Sequence, residues 1–176
     1  MKKIIGILLI LFISTCCLET IKSKYSSNQS EAVMVIKVID GDTIDIIKEG
    51  KTERIRLVGI DTPEPYSNNN QDKWYGLPED HLKKWGVKAL EYTNDRLYKK
   101  EVNISYDNVQ GQKDDFGRTL AYVYIDNINF NVELVENGYA RVYTEKKSDL
   151  YLKLIEAQTK AKINKVGLWD YSTGDN

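Results

Sequence analysis

The stretch AVMVIKVIDGDTIDIIKEGKTERIRLVGID, residues 32–61, decides the fold because it contains three β-strand patterns in succession. β-Branched residues dominate positions 33–39 and 44–47, and polar and apolar side chains alternate through positions 54–57. The dipeptides Asp40-Gly41 and Glu49-Gly50 separate the three patterns, and glycine readily adopts the positive φ angles of tight turns. The stretch therefore predicts a three-stranded meander.

The rest of the chain predicts two further strands, three helices and one long loop. The predicted elements are a loop over 65–85, a helix over 87–98, strands over 102–107 and 117–126, a helix over 131–137 with Asn131 as its N-cap, and a last helix capped by Ser148 that ends at Gly167. In the first helix, Val87, Leu90 and Leu97 fall on one face. His81 lies in the long loop, where it is interpreted as a solvated residue.

Five short strands with a helix after the third are typical of an OB-type barrel, in which the sheet closes and leaves one binding face. We therefore predict an α+β fold, a five-stranded OB-fold β-barrel with three α-helices. An open α+β sheet is the alternative, and strand spacing alone does not separate the two. A chain of 176 residues that is 41% hydrophobic and 29% charged suits one globular domain, expected over residues 32–176.

The amino-terminal residues 1–17 have the pattern of an export signal. Lys2 and Lys3 precede an apolar run from Ile4 to Ile13 that is too short to span a bilayer comfortably. The following Cys16 and Cys17 lie in ISTCC, which resembles the site at which bacterial lipoprotein signals are cut. Lipid attachment at Cys16 and ordinary secretion both remain open, and both lead outside the cytoplasm. Residues 18–31 are polar and are predicted to form a flexible tether.

Charge and composition limit the possible functions. Loss of Lys2 and Lys3 with the signal changes the net charge from −1 to about −3. A polyanionic substrate would therefore need a local positive cluster or a metal ion. The single histidine, His81, excludes histidine-cluster zinc sites and argues against a Ser-His-Asp hydrolase.

The segment RLVGIDTPE, residues 56–64, places charges of both signs at the end of an apolar strand. The acidic side chains at the ends of the first and third strands could converge on a hard cation such as calcium, which takes about six to eight oxygen ligands. Arg56 and Arg118 are planar forks suited to a phosphate, and Glu64 could orient or deprotonate a water molecule. The acidic residues are Asp40, Asp42, Asp61 and Glu64.

Each of these residues also has a purely structural interpretation. The sequence DGDT around Asp42 is a common hairpin turn, Arg56 could pair with Glu53 or Asp61, and Arg118 could simply flank a strand. Taken residue by residue, the pattern leaves both interpretations open.

The segments VIDGDTI, RIRLVGIDTPE, FGRTLAYVY, LVENGYARV and GLW resemble, in their order and spacing, the staphylococcal nuclease (thermonuclease) family over about residues 33–170. The resemblance implies an OB-fold barrel with three helices and a calcium-dependent nuclease that cuts DNA and RNA to leave 3′-phosphate ends. It implies calcium ligands at Asp42, Asp61 and the Thr62 carbonyl, and a structural role for Trp169 at the C-terminal end. The catalytic residues that it implies are Arg56, Arg118 and Glu64, the last in the position of the general base.

Several positions depart from the family pattern. Asp115 and Phe116 stand where a lysine and a tyrosine would contact a terminal phosphate. Only Tyr143 is a candidate to stack on a base of the substrate. The loop after Glu64 is longer than in the family pattern by about ten residues. These departures keep a second hypothesis open, a non-catalytic OB-fold module that binds nucleic acid or another surface polymer. Under the first hypothesis the protein is an extracytoplasmic nuclease, expected to be a monomer.

Overall fold

Residues 30–171, the part of the chain that the computed structural model describes, form a β-barrel with three helices around it. The predicted export signal, Cys16 and the tether up to residue 29 lie outside these residues. The strands are β1 Glu31–Asp40, β2 Thr43–Lys48, β3 Lys51–Leu57, β4 Ile60–Asp61, β5 Glu101–Tyr106, β6 Thr119–Ile125, β7 Ile128–Asn129 and β8 Arg141–Val142. The helices are α1 Glu79–Leu97, α2 Phe130–Glu136 and α3 Tyr151–Ile163, with short 3₁₀ helices at Gln71–Trp74 and Gly167–Trp169.

The main sheet closes on itself. Strand β1 pairs with β2 and β5, β2 pairs with β3, and β5 pairs with β6, in every case antiparallel. The last seam is parallel: β3 pairs with β6, and Arg56 lies opposite Leu120. This closure confirms the predicted five-stranded OB-fold barrel and excludes the open sheet, since the five principal strands retain no free edge.

The first three strands form the predicted meander. Lys48 pairs with Lys51 across a two-residue turn in which Glu49 and Gly50 have φ angles of 49° and 74°. Positive φ at both positions matches the right-handed twist of a hairpin, which explains the glycine in this turn. The first turn joins Asp40 to Thr43 and leaves Asp42 at the mouth of the hairpin.

Alternate side chains of the five strands fill the barrel. Buried residues such as Ile44, Ile55 and Val123 point inwards, and Phe130 and Leu134 of α2 pack against the same core. Each large aliphatic side chain that leaves water in this way contributes roughly 2 kcal/mol to the hydrophobic free energy of folding. The barrel is therefore a rigid support for the residues at its rim.

Helix α1 begins at Glu79, eight residues before the predicted start at residue 87. Its buried residues are Leu82, Gly86, Ala89, Thr93 and Leu97, so of the predicted apolar face only Leu97 is fully buried. The predicted start and the predicted buried face of the helix were wrong because the contact face consists largely of small residues, which leave no hydrophobic pattern in the sequence.

His81 belongs to α1 rather than to a solvated loop. Its Nε2 atom lies 2.8 Å from the Leu168 carbonyl oxygen, and its ring packs edge-on against Tyr171. Trp169, which was expected to pack the C-terminal end, contacts the adjacent cluster of Trp74, Leu82 and Leu168. The C-terminal segment is thus tied to the first turn of α1.

Two predicted helix caps were also wrong. Asn129, not Asn131, caps α2, and its side chain accepts a hydrogen bond of 3.0 Å from the Val132 amide. Asn131 is buried inside the helix, where its amide group accepts a bond from the Val123 amide and donates one to the Val58 carbonyl. Helix α3 starts at Tyr151 without a side-chain cap, so Ser148 does not serve that role. None of the helices described here is long and apolar enough to cross a membrane.

Candidate active site

Arg56 lies between two acidic side chains at the parallel seam of the barrel. Its Nη2 atom donates a hydrogen bond of 2.8 Å to Asp61 Oδ1, and its Nη1 atom forms an ion pair with Asp42 Oδ2. Its side chain is only 14% exposed. The structure therefore brings together three residues that the sequence placed in the site. Of the two partners that the structural interpretation named for Arg56, Asp61 is paired with it and Glu53 is not.

Asp42 is buried and hydrogen-bonded. Its Oδ2 atom accepts bonds from the Thr62 amide at 2.7 Å and from the Thr62 hydroxyl at 3.1 Å, while Thr43 donates to Oδ1. Burial raises the pKa of Asp42 to about 6, although the positive charge of Arg56 opposes this shift. A carboxylate so far from water is stable as an anion only beside positive charge.

Helix α1 fixes the turn that carries Asp42. A side chain on Gly41 would meet Ala89 Cβ at 2.7 Å and Thr62 Cγ2 at 2.8 Å, so only glycine allows this close approach. Thr93 of α1 donates a hydrogen bond of 2.7 Å to the Gly41 carbonyl. Two small residues of the buried face of α1, Ala89 and Thr93, thus position the turn that carries Asp42.

Asp61 is held from its other side by Arg141, a residue that sequence analysis missed. Arg141 Nη2 and Nε donate to Asp61 Oδ2 at 2.7 and 3.0 Å, and Nη2 also donates to Glu145 Oε1 at 3.1 Å. The Arg141 side chain is 3% exposed. The signal that could have found it is an arginine inside the apolar segment GYARV, because a buried arginine requires acidic partners.

The long loop after Glu64 packs against the Arg141–Glu145 pair and against α1. Trp74 is buried against Leu82 and Leu168, and the Arg141 guanidinium lies 5.3 Å from its ring centre. Lys73 forms an ion pair of 3.2 Å with Glu145. The additional residues of this loop therefore support Arg141 and Glu145, and through Arg141 they support Asp61.

Glu64 follows Thr62 and Pro63 out of β4 and is exposed. Asn69 fixes its backbone, since the Asn69 side chain accepts from the Glu64 amide at 2.8 Å and donates to the Glu64 carbonyl at 3.1 Å. Its carboxylate accepts a long bond of 3.4 Å from Ser67. Partial burial, followed by the charges of Asp42 and Asp61, raises the pKa of Glu64. Such a carboxylate is suited to accept a proton.

Arg118 leaves a tight turn just before β6. Asp114 holds it twice, because its Oδ2 atom accepts from Arg118 Nε at 2.6 Å and its Oδ1 atom accepts from the Arg118 amide at 2.9 Å. The two terminal guanidinium nitrogens remain beyond this contact. Thr119, the next residue, pairs with Ile55 in β3, so the seam brings Arg118 to the same end of the barrel as Arg56.

A groove of about 200 Å³ joins these arginines. Arg56, Arg118 and Tyr143 all line it, together with Lys113 and Lys146. The Tyr143 amide donates to the Gly59 carbonyl at 3.0 Å, which places the residue on the groove wall. Asp114 and Asp115 also line this cationic groove, where its two arginines and two lysines outnumber them, whereas Asp42, Asp61, Glu64 and Thr62 do not line it. Arg56 therefore links the cationic groove to an acidic centre formed by Asp42 and Asp61. This groove is the local positive cluster that an acidic chain would need to bind a polyanion.

The acidic centre fits a hard cation in its chemistry. Within residues 30–171, no three His, Cys, Asp or Glu side chains are placed to hold a metal ion by themselves. Burial, and next the charge of Asp42, raises the pKa of Asp61 against the opposing arginines, and the same two aspartates raise the pKa of Glu64. A divalent cation would relieve this repulsion. Asp42, Asp61 and the Thr62 carbonyl could contribute to such a site, and water or phosphate oxygens would have to complete it.

Comparison with known proteins shows the family of the chain. The family model described as "Staphylococcal nuclease homologue" matches residues 54–171. A protein of Methanocaldococcus jannaschii, MJ1439, is 43% identical over 148 residues, which are 78% of this chain and 71% of that protein.

Two relatives bear names that state an activity. The thermonuclease of Staphylococcus intermedius is 37% identical over 150 residues, covering 85% of this chain and 82% of the relative. Endonuclease YncB of Bacillus subtilis is 31% identical over 152 residues, covering 84% and 67%. With the closed barrel, the family match and these relatives together, the chain belongs to the staphylococcal nuclease family.

Proposed function

We propose that this protein is a calcium-dependent nuclease that acts outside the cytoplasm on DNA and RNA and leaves 3′-phosphate ends. The observation that carries the proposal is the position of Arg56, which lines the cationic groove and also contacts Asp42 and Asp61. A phosphodiester bound at Arg56 would thus lie beside an acidic centre. The relatives named thermonuclease and endonuclease support the same reaction class.

The two arginines bind and neutralise the phosphate. A guanidinium group has five N–H donors, so the two carboxylate contacts of Arg56 leave donors for a phosphate oxygen. Asp114 occupies Nε of Arg118 and leaves its terminal nitrogens for a second oxygen. Because both arginines are held by carboxylates, little reorganisation is needed as negative charge develops on the phosphorus oxygens.

Glu64 serves as the base. It takes a proton from the water whose oxygen attacks phosphorus, and the bond from phosphorus to the 5′ oxygen breaks as the new bond forms. The 5′ oxygen leaves and takes up a proton from the solvent, while the phosphate stays on the 3′ oxygen and Glu64 returns its proton to the solvent. Burial and the neighbouring aspartates make Glu64 more basic than a free glutamate, which favours this proton transfer.

Asp42, Asp61 and the Thr62 carbonyl would hold calcium. When bound, the ion adds positive charge close to the phosphate and relieves the repulsion among the carboxylates.

Tyr143, on the wall of the groove, contacts a base of the substrate by stacking. The pattern of residues 1–17 supports export, and lipid attachment at Cys16 would anchor the protein to a membrane.

The proposal is tested by cleavage assays on single-stranded DNA, duplex DNA and RNA, in calcium and in a chelator. A domain from residue 30 onward and its Glu64→Gln variant are compared. We expect calcium-dependent cleavage that falls by orders of magnitude in the variant, with 3′-phosphate on the products and unchanged thermal unfolding. Absence of cleavage by folded protein at high calcium would overturn the proposal and favour a module that only binds nucleic acid.

A further inference from the structure

The backbone of Glu64 is fixed, whereas its carboxylate is almost unrestrained. Pro63 and Pro65 on either side of it are buried, while Glu64 itself is exposed. A residue that precedes a proline is confined to extended backbone conformations, and this restriction applies to Glu64. Within residues 30–171, its carboxylate accepts a hydrogen bond only from Ser67, at 3.4 Å. The lone pairs of this carboxylate therefore remain available to a water molecule.

Asn69 holds the backbone of Glu64 from both ends of the residue. The side-chain oxygen of Asn69 accepts a hydrogen bond of 2.8 Å from the Glu64 amide, and its side-chain nitrogen donates one of 3.1 Å to the Glu64 carbonyl. An asparagine amide carries an acceptor and a donor at a fixed distance, which suits it to this double contact. The two bonds together define where the side chain of Glu64 begins.

Helix α1 holds Asn69 in turn. Glu79, the first residue of the helix, accepts a hydrogen bond from the Asn69 backbone amide, whose nitrogen lies 3.2 Å from each carboxylate oxygen. The Asn69 side chain donates a longer bond of 3.4 Å to the same carboxylate. Gly86 of α1 also packs against this segment, since a Cβ atom there would lie 2.8 Å from the Pro65 nitrogen. The helix thus fixes Glu64 directly through Gly86 and indirectly through Glu79 and Asn69.

The same segment is tied to the acidic centre at its other end. Thr62, two residues before Glu64, donates hydrogen bonds from its amide and its hydroxyl to Asp42 Oδ2. The chain from Thr62 to Glu64 therefore runs between two fixed points. A base must lie within hydrogen-bonding reach of the water that it deprotonates, and a displacement of about 1 Å can cost roughly 100-fold in rate.

We propose that Asn69 is a positioning residue for Glu64, and that Glu79 supports Asn69 from the first turn of α1. The Asn69–Glu79 pair holds the backbone of the base and makes no hydrogen bond to its carboxylate, so the proton acceptor is placed without being occupied. The loop that is longer than the family pattern would then contribute to catalysis through Asn69. The inference rests on the proposed function, because it takes Glu64 to be the base.

The test is a double-mutant cycle measured on cleavage of single-stranded DNA in calcium. We expect Asn69→Ala to lower kcat about 10- to 100-fold with little change in KM, and to cause no further loss when it is added to Glu64→Gln. Glu79→Ala leaves the Asn69 side chain in place and should lower kcat to a smaller extent. The matched controls are Asn68→Ala, exposed in the same loop, and Asp80→Ala, an exposed acidic residue in the same helical turn. Both should retain the kcat of wild type.

Two results would overturn the inference: wild-type kcat in Asn69→Ala, or an equal loss from Asn69→Ala in the presence and in the absence of Glu64→Gln. The second result would show that Asn69 supports the fold and does not act through Glu64.

Amide hydrogen exchange supplies a readout that does not need cleavage. The Glu64 amide should exchange faster in Asn69→Ala than in wild type and in Asn68→Ala, because it loses its acceptor. A wild type that shows this pattern but does not cleave DNA contradicts the proposed function and leaves the hold of Asn69 on Glu64 intact. Unchanged exchange in an active Asn69→Ala variant contradicts only the positioning role.

Discussion

Arg141 donates two hydrogen bonds to a single oxygen of Asp61, from Nη2 at 2.7 Å and from Nε at 3.0 Å. The other oxygen of Asp61 accepts from Arg56. The carboxylate is therefore fixed from both sides, by a residue of the groove and by a buried residue of β8. Trp74 and Glu145, which contact Arg141, extend this support into the long loop and the segment after β8.

Replacing Arg141 with methionine should destabilise the fold by about 3 kcal/mol, because Asp61 and Glu145 both lose a buried positive partner. Arg141→Lys should recover only part of this free energy of unfolding, because an ammonium group cannot make the forked contact. Urea unfolding of both variants beside wild type measures the difference. A methionine variant as stable as wild type would show that Asp61 needs no second arginine.

Removing the Asp114 side chain should impair catalysis by releasing Arg118. Asp114→Ala loses the ion pair and both amide contacts, and we expect kcat/KM for DNA cleavage to fall roughly 10- to 100-fold through misplacement of the guanidinium. Asp114→Asn, which keeps an oxygen for the amide bonds, is the matched control and should lose less. If Asp114→Ala retained wild-type kcat/KM, Arg118 would not depend on this turn for its position.

Adding a methyl group at Gly86 should disturb Glu64. A Cβ atom there would lie 2.6 Å from the Pro63 carbonyl oxygen and 2.9 Å from the Glu64 carbonyl carbon. Gly86→Ala is expected to cost about 1–3 kcal/mol of stability and to lower kcat, although alanine normally favours a helix. Asn94→Ala, at an exposed position of the same helix, serves as the control and should be neutral or slightly stabilising. A stabilised, fully active Gly86→Ala variant would contradict this packing.

Glu145 should make the fold sensitive to acid. Burial acts to raise its pKa, but the bonds from Arg141 and Lys73 prevail and lower it to about 2. A carboxylate with a lowered pKa in the folded state contributes stability above its ordinary value of 4.5, and this contribution is lost as the pH falls towards 2. The Tm of wild type should therefore fall more steeply between these values than that of Glu145→Gln. Parallel curves for the two proteins would show that the ion pairs of Glu145 add no net stability.

The barrel was predictable because its signals are local. Each strand of the meander carries its own alternation, and Asp40-Gly41 and Glu49-Gly50 mark the turns between them. The motifs that carry Arg56, Glu64 and Arg118 are short and contiguous, so the resemblance to the family predicts a catalytic role for these three residues. The contact of Arg56 with Asp42 then follows from the register of β2 with β3, in which Thr43, the neighbour of Asp42, lies opposite Arg56.

The features that could not be predicted depend on contacts distant in sequence. The role of Arg141 depends on its contact with Asp61, which belongs to a different strand and is far away in the sequence. In addition, β8 is too short to show a periodic pattern. The start of α1 was missed because its first eight residues bury only Leu82 and Gly86, which is too little to give a helical apolar pattern. Asn131 looked like a cap since asparagine favours that position, yet its amide instead satisfies backbone groups of the barrel.

The parallel seam between β3 and β6 has a consequence for folding kinetics. The meander forms from neighbouring residues, whereas pairing Ile55 with Thr119 must close a long loop and is slow on entropic grounds. Arg56 and Arg118 meet only when that seam closes. A partly folded chain that has formed only the meander would therefore lack the phosphate site, and we expect hydrolytic activity to appear during refolding no earlier than the pairing of β3 with β6. The seam between β3 and β6 thus decides when the two arginines can act on one phosphate.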